Sequence, residues 1–172
     1  GVNEDADALL RGVLDAGANI VISGGTGSGK TTLLNALAGH LGAGERIITI
    51  EETAELRLPQ RHVVRLEARP ANAEGAGAYT VRDLVRAALR MRPDRLVVGE
   101  VRGAEALDLL QALNTGHEGS ISTVHANGPL DALRRLSTLA LFGGTGLPHD
   151  AICEQLRASV DVVIQVARAA GG

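Results

Sequence analysis

Residues 24–32 read GGTGSGKTT, a glycine-rich segment that fits the pattern G-x-x-x-x-G-K-[ST]. An apolar segment (19–23) precedes it and an amphipathic one (31–41) follows, so the sequence predicts a strand, a turn and a helix in that order. Glycines let successive backbone N–H groups turn towards one point, and the start of the helix adds further unpaired donors. The segment therefore predicts a phosphate-binding loop in an α/β fold.

Two side chains of this loop have the chemistry that a nucleoside triphosphate requires. Lys30 is the single lysine of the chain, and all its other basic residues are arginine. A compact ammonium at this position reaches the β and γ phosphates, and the Thr31 hydroxyl is the expected ligand of Mg²⁺. The predicted nucleotide-binding residues are Gly24, Gly25, Thr26, Gly27, Ser28, Gly29, Lys30, Thr31 and Thr32.

Strand-like and helix-like segments alternate along the whole chain. The predicted strands are 19–23, 46–50, 63–66, 95–98, 119–124 and 160–166, and the predicted helices are 5–16, 31–41, 80–91, 104–114, 129–141 and 149–159. Such alternation predicts a mainly parallel twisted sheet with helices on both faces. Thr80 and Asp83 are expected to cap one helix, and Met91 and Cys153 to lie in the core. We expect a single domain over residues 1–172, since no linker or repeat divides the chain.

Two of the predicted strands lead into acidic residues. The segment RLVVGE ends in Glu100, and Gly99 stands where many phosphate-loop enzymes have an aspartate. Because glycine has no side chain to hold a metal, Glu100 is expected to serve the water shell of Mg²⁺, the attacking water, or both. Glu51 follows strand 46–50, at the edge of the sheet where ligands collect. Glu52 and Glu55 either reach the same site or are solvated loop charges.

Two histidines flank the predicted strand 119–124. His125 follows its carboxyl end, where an imidazole can donate to a γ-phosphate, and His117 precedes it. Spacing alone leaves two interpretations open for His125: a phosphate contact or a structural histidine.

Composition argues against several classes of function. The net charge of −3 provides no basic field for nucleic acid, and Tyr79 and Phe142, the only two aromatic residues, provide little surface for stacking bases. The chain has no apolar run of about 20 residues, so we expect no direct insertion into a membrane. A single cysteine fits a reducing compartment.

Four motifs, in this order, resemble the ATPases of type II and type IV secretion and type IV pilus machines, and most closely their tight-adherence (Flp) pilus branch. They are the loop at 24–32, an acidic box at 51–55, LVVGEVR at 96–102 and TGHEGSISTVHAN at 115–127. The acidic box departs from the family pattern, because Glu51-Glu52 stands where the family usually has Glu-Asp.

The resemblance implies a RecA-like core that hydrolyses ATP with Mg²⁺ to power pilus assembly or protein secretion across the bacterial envelope. It implies that Glu51 and Glu100 are catalytic carboxylates, with Lys30 as a third catalytic residue and His125 as the phosphate sensor. It leaves His117 as either a packing residue or a contact between subunits. It implies a homo-hexamer on the cytoplasmic face of the inner membrane, with a pilus or secretion platform protein as partner. Family members also carry an N-terminal domain, which this chain is expected to lack as a fragment of a longer protein. In the family, arginines contact the phosphates of nucleotide bound to a neighbouring subunit. Here such arginines are either outside the chain or among Arg65, Arg69, Arg86, Arg90 and Arg92.

Three other functions use a similar phosphate loop. A RecA-like nucleic-acid translocase would show hydrolysis stimulated by DNA. A nucleotide-dependent scaffold would bind ATP without releasing phosphate. A small-molecule phosphotransferase is the weakest of the three, because the sequence offers neither an arginine-rich lid nor an acceptor pocket.

Overall fold

The strands form one parallel sheet. The computed structural model describes residues 4–144 and 146–168, so the ends of the predicted domain 1–172 and residue 145 lie outside the described residues. The strands are β1 (Ile20–Gly24), β2 (Ile47–Glu51), β3 (Val63–Glu67), β4 (Arg95–Val101), β5 (Ile121–His125) and β6 (Val162–Val166). Their order is β3-β2-β4-β5-β1-β6, and each pairing between neighbours is parallel. The predicted α/β architecture is confirmed.

Helices cover both faces of this sheet. They are α1 (Glu4–Asp15), α2 (Lys30–Gly39), α3 (Val81–Leu89), α4 (Glu105–Leu113), α5 (Pro129–Leu141) and α6 (His149–Ser159). Side chains alternate between the faces of a strand, so Ile20 and Ile22 pack with α1 and α2 while Val21 packs with the other four helices. None of these described helices combines the length and apolarity needed to cross a bilayer.

A capping box begins α3, as the sequence predicts. The Thr80 hydroxyl accepts the Asp83 N–H at 3.2 Å, and the Asp83 carboxylate accepts the Thr80 N–H at 2.9 Å. The hydroxyl and then the backbone N–H of Thr80, both donating to the carboxylate, lower the pKa of Asp83. The capping box thereby satisfies two backbone donors at the start of α3 through local contacts alone.

A bulge shapes the end of β4, which runs three residues further than the predicted strand. Val98 pairs with Ser122 and Val101 with Val124, so two residues of β4 stand opposite one residue of β5. The Thr123 hydroxyl closes the irregular step by donating to the Gly99 carbonyl at 2.6 Å. A bulge re-aims the side chains beside it, and here the affected side chain is that of Glu100.

The core predictions for Met91 and Cys153 are not supported. Met91 is 36% exposed and lies two residues beyond the end of α3 at Leu89, so that prediction is wrong. Cys153 is only half-buried on α6, and its sulfur lies beside the His149 ring of the preceding turn.

Helix α4 offers a direct test of the core. Leu110 is 1% exposed and packs between the sheet and the other helices, whereas Leu130 on α5 is 69% exposed. Leu110→Ala should lower the free energy of unfolding by about 2–5 kcal/mol, through lost burial and a residual cavity. The matched control Leu130→Ala should change it by less than about 0.5 kcal/mol in the same urea titration. Equal losses in the two variants would contradict the packing described here.

Candidate functional site

The parallel strands bring the predicted site residues to one edge of the sheet. The phosphate loop follows β1, while β2 ends at Glu51 and β5 ends at His125. Glu100 is the penultimate residue of β4. Because all the carboxyl ends of the strands point the same way, these elements meet where ligands bind in open α/β sheets.

The phosphate loop has the backbone geometry of an anion cradle. Gly27 (φ 66°) and Gly29 (φ 100°) are in the left-handed region, which other residues seldom adopt. α2 begins directly after Gly29, and no side chain caps its first turn, so those N–H groups are directed at the loop. The Lys30 ammonium donates to the carbonyls of Gly24 and Gly25, both at 2.9 Å, and so stays at the loop.

The loop also contains a buried polar atom that the protein does not satisfy. Ser28 Oγ is buried and has no hydrogen-bond partner among the described residues. A buried hydroxyl without a partner is costly, and a phosphate oxygen is an acceptor that would relieve it. The unsatisfied hydroxyl, the glycine conformations and the uncapped helix together fit a bound phosphate chain.

A cavity of about 160 Å³ joins the end of this loop to the acidic residues. Its lining residues are Thr31, Glu51, Glu52, Thr53, Glu55, Gly99, Glu100 and Arg102. The structure thus brings the predicted Mg²⁺ ligand Thr31 together with both predicted catalytic carboxylates. Lys30 and His125 are not among the lining residues; they lie on the loop and on the adjoining strand.

Glu51 supports the backbone as well as lining the cavity. Its side chain is 4% exposed, and Oε1 accepts the N–H groups of Glu55 at 2.9 Å and Leu56 at 3.0 Å. A Cβ atom at position 99 would lie 3.1 Å from Glu51 Cγ. Glycine at position 99 therefore makes room for Glu51 on the neighbouring strand, which gives a steric reason for the missing aspartate.

Glu100 is held by Arg102, the last residue of the LVVGEVR motif, for which the sequence predicted no role. Its Oε2 accepts from Arg102 Nη2 at 2.8 Å, and the same guanidinium pairs with Glu52. The hydrogen bond to Glu100, followed by the charge of that carboxylate, raises the pKa of Arg102. The sequence signal for this contact is weak, because Arg102 follows the end of β4 and the bulge beside Glu100 interrupts the regular alternation of side chains.

The two histidines of the fourth motif have different surroundings. His125 is exposed, and its Cα is aligned with that of Gly24 in the β1–β5 pairing, which places it beside the phosphate loop. His117 precedes the opposite, amino-terminal end of β5, and its Nδ1 is 3.3 Å from the Ala112 carbonyl. Of the two histidines, only His125 adjoins the loop, and a role for His117 in packing or in a contact between subunits stays a prediction.

A second arginine beside the loop was also missed by the sequence reasoning. Arg168 follows β6, the strand next to β1, and its Nε donates to the Gly27 carbonyl at 3.1 Å. The sequence signal here is weak, because it depends on knowing that β6 lies next to β1. Of the arginines considered for contacts across subunits, Arg86 is engaged with Asp108 at 2.7 Å, and Arg69 lies over the Tyr79 ring.

The residues present suit Mg²⁺ held largely by its substrate. Within residues 4–144 and 146–168, no three His, Cys, Asp or Glu side chains converge as a metal site. Mg²⁺ characteristically keeps several waters and binds through one or two protein oxygens together with phosphates. Thr31 is the residue of this chain that would hold the ion, with Glu100 reaching its water shell.

The chain belongs to the type II/IV secretion system protein family, whose model matches residues 1–170. It is 52% identical over 171 residues to a Mycobacterium tuberculosis protein provisionally named a conjugal transfer protein, covering 99% of this chain and 48% of that protein. It is 43% identical over 169 residues to the type IV secretion system protein PtlH of Bordetella pertussis, covering 96% and 50%. The chain therefore spans about half the length of the curated relatives it matches.

Solved structures have the same fold. The VirB11 ATPase of the Brucella suis type IV secretion system, in complex with sulphate, superposes with a TM-score of 0.87 at 36% identity, covering 97% of this chain and 48% of that one. The pilus retraction motor PilT with bound ADP gives a TM-score of 0.71 at 27% identity, covering 90% and 44%. These structures and the sheet order confirm the predicted RecA-like core, whereas membership of the tight-adherence branch stays a prediction.

Paired variants separate the structural role of Glu51 from its charge. Glu51→Ala leaves the buried N–H of Leu56 without an acceptor and should cost about 1–3 kcal/mol of unfolding free energy. Glu51→Gln retains a carbonyl oxygen as acceptor and should lose clearly less. Urea unfolding of both variants makes the comparison, and equal losses would show that the two backbone hydrogen bonds do not stabilise the turn.

Proposed function

We propose that this chain is an ATP-hydrolysing motor domain that powers pilus assembly or protein secretion across the bacterial envelope. The observation that carries the proposal is the shared cavity, which Thr31 of the phosphate loop and the carboxylate of Glu100 both line. A nucleotide-binding loop alone would serve many purposes. Hydrolysis also requires a carboxylate close to the metal position beside that loop, and Glu100 provides one.

Binding of the triphosphate falls to the loop and the start of α2. Backbone N–H groups of the glycine turn and the helix surround the phosphates, and the Lys30 ammonium exchanges its carbonyl contacts for phosphate oxygens. Thr31 holds Mg²⁺, which, when bound, neutralises charge that develops on the phosphates. The related structures support the proposed binding of a nucleotide, since VirB11 was solved in complex with sulphate and PilT with bound ADP.

Glu100 and Glu51 have separate tasks in this scheme. Glu100, with its side chain 25% exposed, can polarise a water molecule in the cavity and accept its proton. One oxygen of Glu51 is committed to the backbone of the turn, so its carboxylate is fixed in place and orients the water electrostatically.

His125 couples the state of the nucleotide to movement. It stands beside Gly24 at the end of β5, and its exposed imidazole is able to donate to a γ-phosphate. Loss of the γ-phosphate removes this hydrogen bond and releases His125. Hydrolysis is in this way coupled to a change of conformation.

The setting of the motor follows from the family. Relatives act in type IV secretion and conjugal transfer by name, and the solved ones include a pilus retraction motor. We infer a homo-hexamer with ATP between subunits, docked on a platform protein at the cytoplasmic face of the inner membrane. The finer placement in the tight-adherence pilus branch belongs to the same proposal.

Phosphate release by the full-length protein tests the proposed hydrolysis. Glu100→Gln should lower turnover by about 100- to 10,000-fold while nucleotide still binds, because a general base is lost and the loop is intact. Lys30→Ala should lose both turnover and nucleotide affinity. Glu154→Gln, an exposed position on α6, is the matched control and should behave as wild type.

Other results of this assay would favour the competing functions. Nucleotide binding by the wild-type ring without any phosphate release would favour a scaffold and contradict the proposal. Hydrolysis that rises on addition of DNA would favour a nucleic-acid translocase. Undiminished turnover in Glu100→Gln would remove the assigned base.

A further inference from the structure

One arginine joins two acids of the candidate site. Arg102 is the first residue after β4, and its Nη2 donates to Glu100 at 2.8 Å while Nη1 pairs with Glu52. Glu100 lies on β4 and Glu52 lies in the turn after β2, so the guanidinium links the ends of neighbouring strands. The planar fork of an arginine has enough donors to bond both carboxylates at once.

The backbone that carries Arg102 is fixed from the buried side. The N–H groups of Arg102 and Gly103 both donate to Oε1 of Glu105, at 2.7 and 2.8 Å. Glu105 is 8% exposed and begins α4. The Arg102 backbone therefore has a defined position, although the Arg102 side chain is 61% exposed.

The charge around the cavity makes such a link necessary. Glu51, Glu52, Glu55 and Glu100 all line it, and among the described lining residues Arg102 is the one cation. Like charges within a few ångströms of one another repel. Without the guanidinium, no cation among the described lining residues would offset the repulsion between Glu100 and Glu52.

We propose that Arg102 is a positioning residue that keeps the carboxylate of Glu100 facing the cavity shared with Thr31. This inference rests on the proposed function, because it assigns Arg102 to the same hydrolysis. Arg102 acts through Glu100 and has no contact with nucleotide in this role. Its loss therefore lowers kcat and leaves the KM for ATP unchanged.

Two substitutions in the full-length protein test the role. Arg102→Ala should lower kcat about 100-fold, the cost of a misplaced catalytic group. Arg102→Lys should lower kcat less than the alanine variant, because it keeps a positive charge, but still measurably, because one ammonium cannot bond both carboxylates as the planar fork of arginine does. Arg134→Ala is the matched control, since Arg134 is 78% exposed on α5 and pairs only loosely with Asp131 at 3.4 Å. It should retain wild-type kcat and KM.

Chemical rescue separates positioning from a merely structural role. Guanidinium ion added to Arg102→Ala should restore part of the lost kcat, and it should not help Glu100→Gln. A wild-type kcat in Arg102→Ala, a loss confined to KM, or a kcat loss that guanidinium does not restore would each overturn the role of Arg102. If the alanine variant does not fold, Arg102→Lys decides, and a wild-type kcat there overturns the role.

The same assay distinguishes this inference from the proposed function. Absence of phosphate release from the wild-type protein would contradict the proposed function itself. An active wild type whose Arg102→Ala variant is equally active would contradict only the assignment of Arg102.

Discussion

The parallel pairing of β1, β5, β4 and β2 assembles the candidate site. It brings four strand ends to one edge, so that a glycine loop, a histidine and two acids meet although they are far apart in sequence. The sheet also fixes their order: the loop and His125 lie on adjacent strands, and Glu100 and Glu51 on the next two. Packing of helices on both faces holds this edge rigid while leaving it open to ligands.

Small residues and bulges then adjust the edge locally. Gly99 leaves the space that the Glu51 side chain occupies, and the bulge at Gly99 and Glu100 re-aims the second acid. Glu51 secures the following turn through its bonds to Glu55 and Leu56, so a single carboxylate combines structural and electrostatic roles. Glycine stands at position 99, where many phosphate-loop enzymes have an aspartate, because the neighbouring strand needs space there for Glu51.

Much of this arrangement could be predicted from the sequence, because periodic apolar segments and a glycine-rich loop are local signals. The strands, the helices and the grouping of Thr31, Glu51 and Glu100 followed from them. The bulge in β4 did not, since it depends on the pairing with β5. The same holds for the contact of Arg168 with Gly27, which requires β6 to lie beside β1. Met91 was misplaced because α3 ends at Leu89 in a tight turn, and the exact end of a helix is poorly defined by the sequence.

A crystal structure of the full-length protein with Mg²⁺ and a non-hydrolysable ATP analogue would show whether the site holds ATP for hydrolysis. We expect the loop to enclose the phosphates, Thr31 to bind the ion, and Glu100 to lie one water molecule from the γ-phosphorus. A nucleotide seated in the loop with Glu100 directed away from it, or a nucleotide bound elsewhere, would rule out the proposed hydrolytic site.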